Sequence, residues 1–222
     1  MLYIVSTPIG NLKDITFRAI EVLKQADLIA AEDTRHTKIL TKHYQISTPL
    51  TSYFEHNKIK KANYLIKLLQ QGKDIALVTD AGTPGINDPG YHLIKLTKDN
   101  NIPITVIPGP CALIAALSLS GMPAHNFIFE GFLPVKSSAR RKKLEGLKNE
   151  KRTIIFYESP HRVIKALEDI KEILPSSATV ACVREITKKF EEVKKGTAKE
   201  LIDYFSINKP KGEFVILVNM NK

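Results

Sequence analysis

The sequence predicts two α/β domains, the first (residues 1–118) built on a mainly parallel sheet and the second (residues 119–222) on a mixed one. Three observations predict this. Up to residue 107, short apolar runs alternate with longer amphipathic stretches, the pattern of strands joined by helical crossovers. Beyond residue 126 the apolar runs lie closer together, and short connectors suit antiparallel neighbours. Between the two halves, Ser120-Gly121-Met122-Pro123 supplies the glycine and proline of a hinge. A chain of 222 residues is long enough for two such domains.

The elements follow in order. Residues 2–6, 28–31, 75–79 and 104–107 read as buried strands, and 16–25, 35–44, 58–71 and 91–98 as helices. Pro108-Gly109-Pro110 ends the fourth strand, and the alanine- and leucine-rich run 111–119 has high helix propensity. The second half reads as a strand at 127–130, a basic helix within 136–152, and a strand at 153–157. A helix over 162–173 and strands at 179–184, 190–196 and 213–219 follow, with a helix over 199–205 between the last two.

Composition excludes several classes. A 43% hydrophobic and 25% charged chain is ordinary for a soluble globular protein, and no repeat or low-complexity tract stands out. The most apolar segment, 111–122, is too short to span a bilayer, and the first five residues lack the basic leader and cleavage site of a signal peptide. A cytoplasmic location without membrane attachment is expected. Cys111 and Cys182 stand alone, and the six histidines form no ligand pair, so no metal is expected.

The net charge of +10 points to a polyanionic partner, because a basic surface gains affinity by displacing counterions from phosphates. Much of it is local. Residues 136–152 hold eight basic side chains, Arg140, Arg141, Lys142 and Lys143 in succession, against Glu145 and Glu150. Those four are the candidate RNA contacts. Only seven of the 33 basic residues are Arg, however, so part of the excess also fits lysine-rich solvated faces.

The most informative stretch is 79–90, TDAGTPGINDPG, which follows the third strand. Open α/β sheets bind ligands where a strand runs into such a sterically open turn. Phosphate-binding loops offer backbone N–H groups and usually a lysine; this turn offers Asp80 and Asp88 and no cation. It matches neither G-x-G-x-x-G nor G-x-x-x-x-G-K-[ST], and favours a ligand with positive character. Thr7-Pro8-Ile9-Gly10-Asn11 and Glu32-Asp33-Thr34-Arg35 close the first and second strands in similar fashion. Tyr157-Glu158-Ser159-Pro160-His161-Arg162 sets Glu, Ser and His together. It lacks the nucleophile elbow of a hydrolase, and Ser159 with Pro160 suits a helix N-terminus. Residues 184–192 interleave charges with Phe190, as a surface hairpin or an RNA edge would.

Taken together and in order, STPIGNL, EDTR, DAGTPGINDPG, PGPCA, FEGFLP, YESPHR, REITK and KGEFVILV resemble the tetrapyrrole-methylase-like (class III) S-adenosylmethionine-dependent methyltransferases. EDTR, YESPHR and REITK are most similar to the branch that methylates the ribose 2′-hydroxyl of a decoding-centre cytidine in 16S ribosomal RNA. The family more often has Ser at the positions of Asn87 and Cys111, and another aromatic or His near Phe190. The resemblance implies a homodimer with S-adenosyl-L-methionine folded up in a cleft between two α/β domains. It implies that Pro8, Gly10, Asp80, Ala81, Gly82, Thr83, Gly85, Ile86, Asp88, Cys111, Ala112 and Leu133 line that cofactor, and that the small ribosomal subunit is the partner. A sulfonium and an amine also suit the carboxylates of the turn.

Methyl transfer to a hydroxyl needs alignment and an acceptor for the proton. Glu158, Asp33 and His161 are the candidate acceptors, with Arg35, Arg162 and Lys188 placed to hold phosphates or lower the hydroxyl's pKa. Three alternatives stay open at this point. Methylation of a tetrapyrrole (precorrin) would use the same cofactor site, as would methylation of a protein in the diphthamide manner; acceptor assays separate them. A non-catalytic RNA-binding assembly protein would leave the glycine-rich turn idle and would not bind the cofactor.

Overall fold

The apolar runs of the first half become five short strands in a computed structural model that describes residues 1–221. They are β1 (Leu2–Val5), β2 (Leu28–Ala31), β3 (Leu50–Ser52), β4 (Ile75–Val78) and β5 (Ile104–Ile107), all parallel, in the order β3-β2-β4-β1-β5. The third is new to the sequence reading. Leu50-Thr51-Ser52 has no apolar run to announce it, because it pairs with β2 alone and is only half-buried.

Four helices cover both faces of this sheet. α1 (Phe17–Gln25) and α2 (Thr34–His43) pack with Val5, Ile29, Ala31, Ala76 and Val78, while α3 (Lys58–Gln70) and α4 (Gly90–Asp99) pack with Leu2, Ala30, Ile75 and Leu77. Burial on both faces is why β4 reads IALV rather than alternating with polar residues. Thr16 caps α1 by accepting from the Ala19 N–H, and Asp33 caps α2 by accepting from the Arg35 N–H. The chain winds from β1 through β2 to β3, then back through β4 to β5. That reversal, beside β1 and β4, is where open sheets bind ligands outside the carboxyl ends of their strands.

The division between the two compact units falls between Cys111 and Ala112, not at 118/119. α5 (Ala112–Ser120) packs on strands of the second sheet, and being apolar on all sides it carries no stripe in sequence to say which sheet it covers. The stretch expected to be a hinge is a tight turn inside the second unit. Ser120 Oγ donates to the Leu117 carbonyl and accepts from the Met122 N–H, and Lys195 donates to the Gly121 carbonyl.

The second unit continues with β6 (Phe127–Phe132), α6 (Ser137–Gly146), β7 (Thr153–Glu158), α7 (Val163–Ile173), β8 (Thr179–Arg184), β9 (Glu192–Gly196), α8 (Ala198–Ile207) and β10 (Phe214–Asn219). Its sheet runs β6-β7-β10-β8-β9, with β6 and β7 parallel and the other pairs antiparallel, a mixed sheet as expected. α7 and α8 bury Val163, Leu167, Ile170, Leu201 and Phe205 against Ile154, Phe156, Val180, Cys182 and Ile216. Among the described residues no helix is long and apolar enough to cross a membrane.

Candidate active site

All strands of the first sheet point the same way, so the loops after β1, β2, β4 and β5 share one edge. They are stitched together. Thr7 and Gly82 exchange backbone hydrogen bonds of 2.9 and 3.1 Å across the β1 and β4 loops, and Thr7 Oγ1 donates to the Thr79 carbonyl. Ser6 Oγ lies 2.9 Å from Thr83 Oγ1, which donates to the Pro110 carbonyl. A Cβ on Gly109 would sit 2.9 Å from that of Ser6, so the PGP segment needs glycine to lie this close. Pro8, Gly10, Ala81, Gly82, Thr83, Ile86 and Cys111 are thereby gathered on one edge.

The β2 loop joins through carboxylates. Glu32 accepts from Thr79 Oγ1 at 2.5 Å and from the Asp80 N–H at 3.3 Å, while Asp80 accepts from the Asp33 N–H at 3.0 Å. Burial, then the neighbouring Glu32, pushes the Asp80 carboxyl above its ordinary range. Glu32, part of EDTR but not among the candidate site residues above, thus stands at the same edge as Asp80. Its place at the carboxyl end of a strand beside β4 becomes visible only with the strand order. Asp33 is different. Hydrogen bonds from the Arg35 side chain, then from its backbone, hold its carboxyl well below the usual carboxylate range, with Arg35 Nη2 2.6 Å away. It is anionic and a weak base, and Arg35 is its partner.

Asp88 faces into its own turn. Its carboxylate accepts from the Gly85 N–H (2.8 and 3.0 Å) and the Gly90 N–H (2.7 Å). Gly85 holds φ at +88°, and a Cβ there would come within 2.8 Å of Ile94 Cδ1. Asp88 shapes the loop; Asp80 faces its edge.

In the second sheet, β6, β7 and β8 also run in one direction, so FEGFLP, YESPHR and REITK meet at one edge. Glu158 is sealed there, its side chain 0% exposed. Oε1 accepts from the Ser159 N–H, Oε2 from Arg162 Nη2 at 3.0 Å. Burial raises its carboxyl above the ordinary range, against the Ser159 N–H and Arg162, which pull it down. Arg162 also donates to the Leu133 carbonyl, so YESPHR clamps FEGFLP. Ser159 is not the cap of α7; the helix starts at Val163, and the Ser159 carbonyl closes the turn before it. His161 is exposed.

Two expected contacts with outside partners turn inward. Arg140 is buried, its Nε 2.6 Å from Asp169 and its Nη1 donating to the carbonyls of Pro134 and Val135. It is a strut and not an RNA contact; charge in sequence did not reveal that its face of α6 meets α7. Lys188 is held between Glu185 at 2.9 Å and Glu213 at 2.8 Å, and although burial works to lower its pKa, these partners raise it. Arg141 pairs with Glu172 at 2.6 Å and Lys143 with Glu130, which leaves Lys142 as the member of the RKK run without an acidic partner among the described residues.

The profile of the tetrapyrrole (corrin/porphyrin) methylases matches residues 1–202. Proteins named ribosomal RNA small subunit methyltransferase I are similar over the whole chain. That of Escherichia coli O157:H7 is 50% identical, covering 100% of this chain and 78% of the relative. That of Synechocystis sp. is 49% identical, covering 98% and 78%. Among solved structures, diphthine synthase has a TM-score of 0.76 at 12% identity, covering 98% of this chain and 89% of the other. A cobalt precorrin-4 methyltransferase has a TM-score of 0.70 at 20% identity, covering 98% and 94%, and at such identities the likeness is one of fold. The chain belongs to the tetrapyrrole (corrin/porphyrin) methylase family and is an S-adenosylmethionine-dependent methyltransferase.

Proposed function

We propose that this methyltransferase modifies the ribose 2′-hydroxyl of a decoding-centre cytidine in 16S ribosomal RNA, acting as a cytoplasmic homodimer on the small ribosomal subunit. The observation that carries the reading is an identity of about half, over 98–100% of this chain and 78% of theirs, to proteins named for small-subunit ribosomal RNA methylation. The acidic turn supports it from the side of chemistry. S-adenosylmethionine supplies a methyl carbon activated by a positive sulfur. Asp80 and Glu32 put two carboxylates at the edge of a turn with no cation, where such a donor fits better than a polyphosphate would. Ala81, a small residue, is exposed beside Asp80, while Gly82 and Gly85 hold the positive φ that the turn needs.

The chain's own part is alignment and proton removal. Of the three candidate acceptors, Glu158 has both oxygens engaged and no exposed side chain, and Asp33 is depressed by Arg35. His161, exposed on the same turn, is the remaining one, and we assign it the proton. Glu158 then acts as a positioning residue through Arg162. His161→Ala is expected to lower kcat by about 10²–10⁴-fold, the usual span of general base catalysis, with little change in RNA affinity. The reading itself is tested by incubating the full chain with unmethylated small subunits and labelled cofactor. The expected result is one labelled cytidine whose 3′ linkage resists alkali; label on a base, or on a porphyrinoid or protein acceptor instead, overturns it.

A further inference from the structure

Phe129, Phe132 and Tyr157 form an aromatic cluster that the chemistry above does not use. Both phenylalanine rings meet Tyr157 edge to face, with centroids 4.8 and 5.7 Å away. Residues three apart on a regular strand point to opposite faces. Here the register between β6 and β7 shifts between Phe129 and Phe132, with Gly131 at φ +66°, and the shift brings both rings onto the same tyrosine. Bulges of this kind re-aim side chains at sheet edges and beside active sites.

The result is a phenylalanine that is 51% exposed and rests edge to face on Tyr157. The carbonyl of the next residue, Leu133, accepts from Arg162, and that of Pro134 from Arg140, which tethers the segment that carries the ring. Pro134 also lines an open depression on α6 together with Lys142, Lys143 and Leu147. A flat apolar ring two positions along the chain from a depression that carries Lys142 suits the alternation of base and phosphate in a single strand.

We propose that Phe132, backed by Tyr157 and Phe129, is a stacking platform for an unpaired RNA base, with the Lys142 depression taking a neighbouring phosphate. This rests on the ribosomal RNA reading and adds how the substrate strand is held. An aromatic face accepts any base, so the platform supplies grip and orientation, and the identity of the target nucleotide is read elsewhere.

The test uses the full chain, an unpaired oligoribonucleotide, and the same oligomer with an abasic residue walked through each position. For the wild type, one abasic position is expected to weaken binding about 5- to 150-fold, the range of a single stacked base. Phe132→Leu keeps apolar bulk without a π face and should erase that discrimination; Phe132→Trp should restore it, with the salt dependence unchanged throughout. Equal binding of intact and abasic oligomers by the wild type overturns the proposal. So does a Phe132→Leu protein whose loss is in cofactor affinity by calorimetry, or in dimerisation by sedimentation. Methyl incorporation measured on the same samples reports the ribosomal RNA reading separately: discrimination without incorporation would sink that reading and leave the platform.

Discussion

Removing the Arg140 guanidinium should damage the fold and spare RNA binding, the reverse of what its place in an RKK run suggests. Arg140 and Asp169 side chains are 6% and 8% exposed, and their atoms approach to 2.6 Å. In Arg140→Met, Asp169 keeps only Arg141 at 3.4 Å, a longer contact from a half-exposed side chain. Breaking a buried pair from one side costs about 3–5 kcal/mol, because a charge is left without compensation. The carbonyls of Pro134 and Val135 also lose their donor, which places the expected cost in the upper part of that range. For a chain of this size each kcal/mol moves Tm by about 2–4 °C, so a fall of roughly 8–20 °C follows. Urea denaturation followed by circular dichroism measures it, with an unchanged m-value as the check that a two-state comparison holds. The double variant Arg140→Met/Asp169→Leu should recover most of the loss, since no charge then remains buried. RNA affinity and its salt slope should match the wild type in both. A single variant within about 1 kcal/mol of wild-type stability whose salt slope falls by about one phosphate contact would refute the reasoning and return Arg140 to the RNA surface.

Lys142→Glu should weaken RNA binding and flatten the plot of log affinity against log salt by about 0.7–0.9 per lost contact, while Arg141→Glu, which also disrupts a pair with Glu172, should lower stability as well. Gly85→Ala should cost about 1–3 kcal/mol for a side chain at positive φ and weaken cofactor binding in calorimetry. Gly72→Ala is the control: it has a φ of +86° with open space around it, so cofactor affinity should survive the same backbone strain. Asp33 has a folded-state pKa below its ordinary 3.8, so its ionic contribution to stability is full above 3.8 and is lost as pH falls toward the folded value. The difference in Tm between wild type and Asp33→Asn should therefore close on acidification and stay constant from pH 5 upward.

What could be read from the sequence, and what could not, divides along physical lines. The parallel sheet was legible because strands covered on both faces are unbroken apolar runs, as in β4, and their loops carry glycine and proline. β3 was not, because an edge strand of three polar-leaning residues has no such run. The turn at 80–90 was legible because its backbone demands glycine at positive φ. Which of its carboxylates faces the edge was not, since Asp80 and Asp88 differ only in whether the loop's own amides reach them. The same limit applied to Arg140 and Lys188. Type and spacing announce a charge, but whether Asp169 or Glu213 lies opposite depends on pairings made across the fold.

The clasp made by Asp88 on the amides of Gly85 and Gly90 bears on kinetics. A bend held in shape by its own carboxylate is preorganised, so capture of the methyl donor forfeits little backbone entropy and needs no slow rearrangement of residues 80–90. Amide exchange across those residues should already be slow in the free protein, and association with the donor should run without a lag that conformational search would impose.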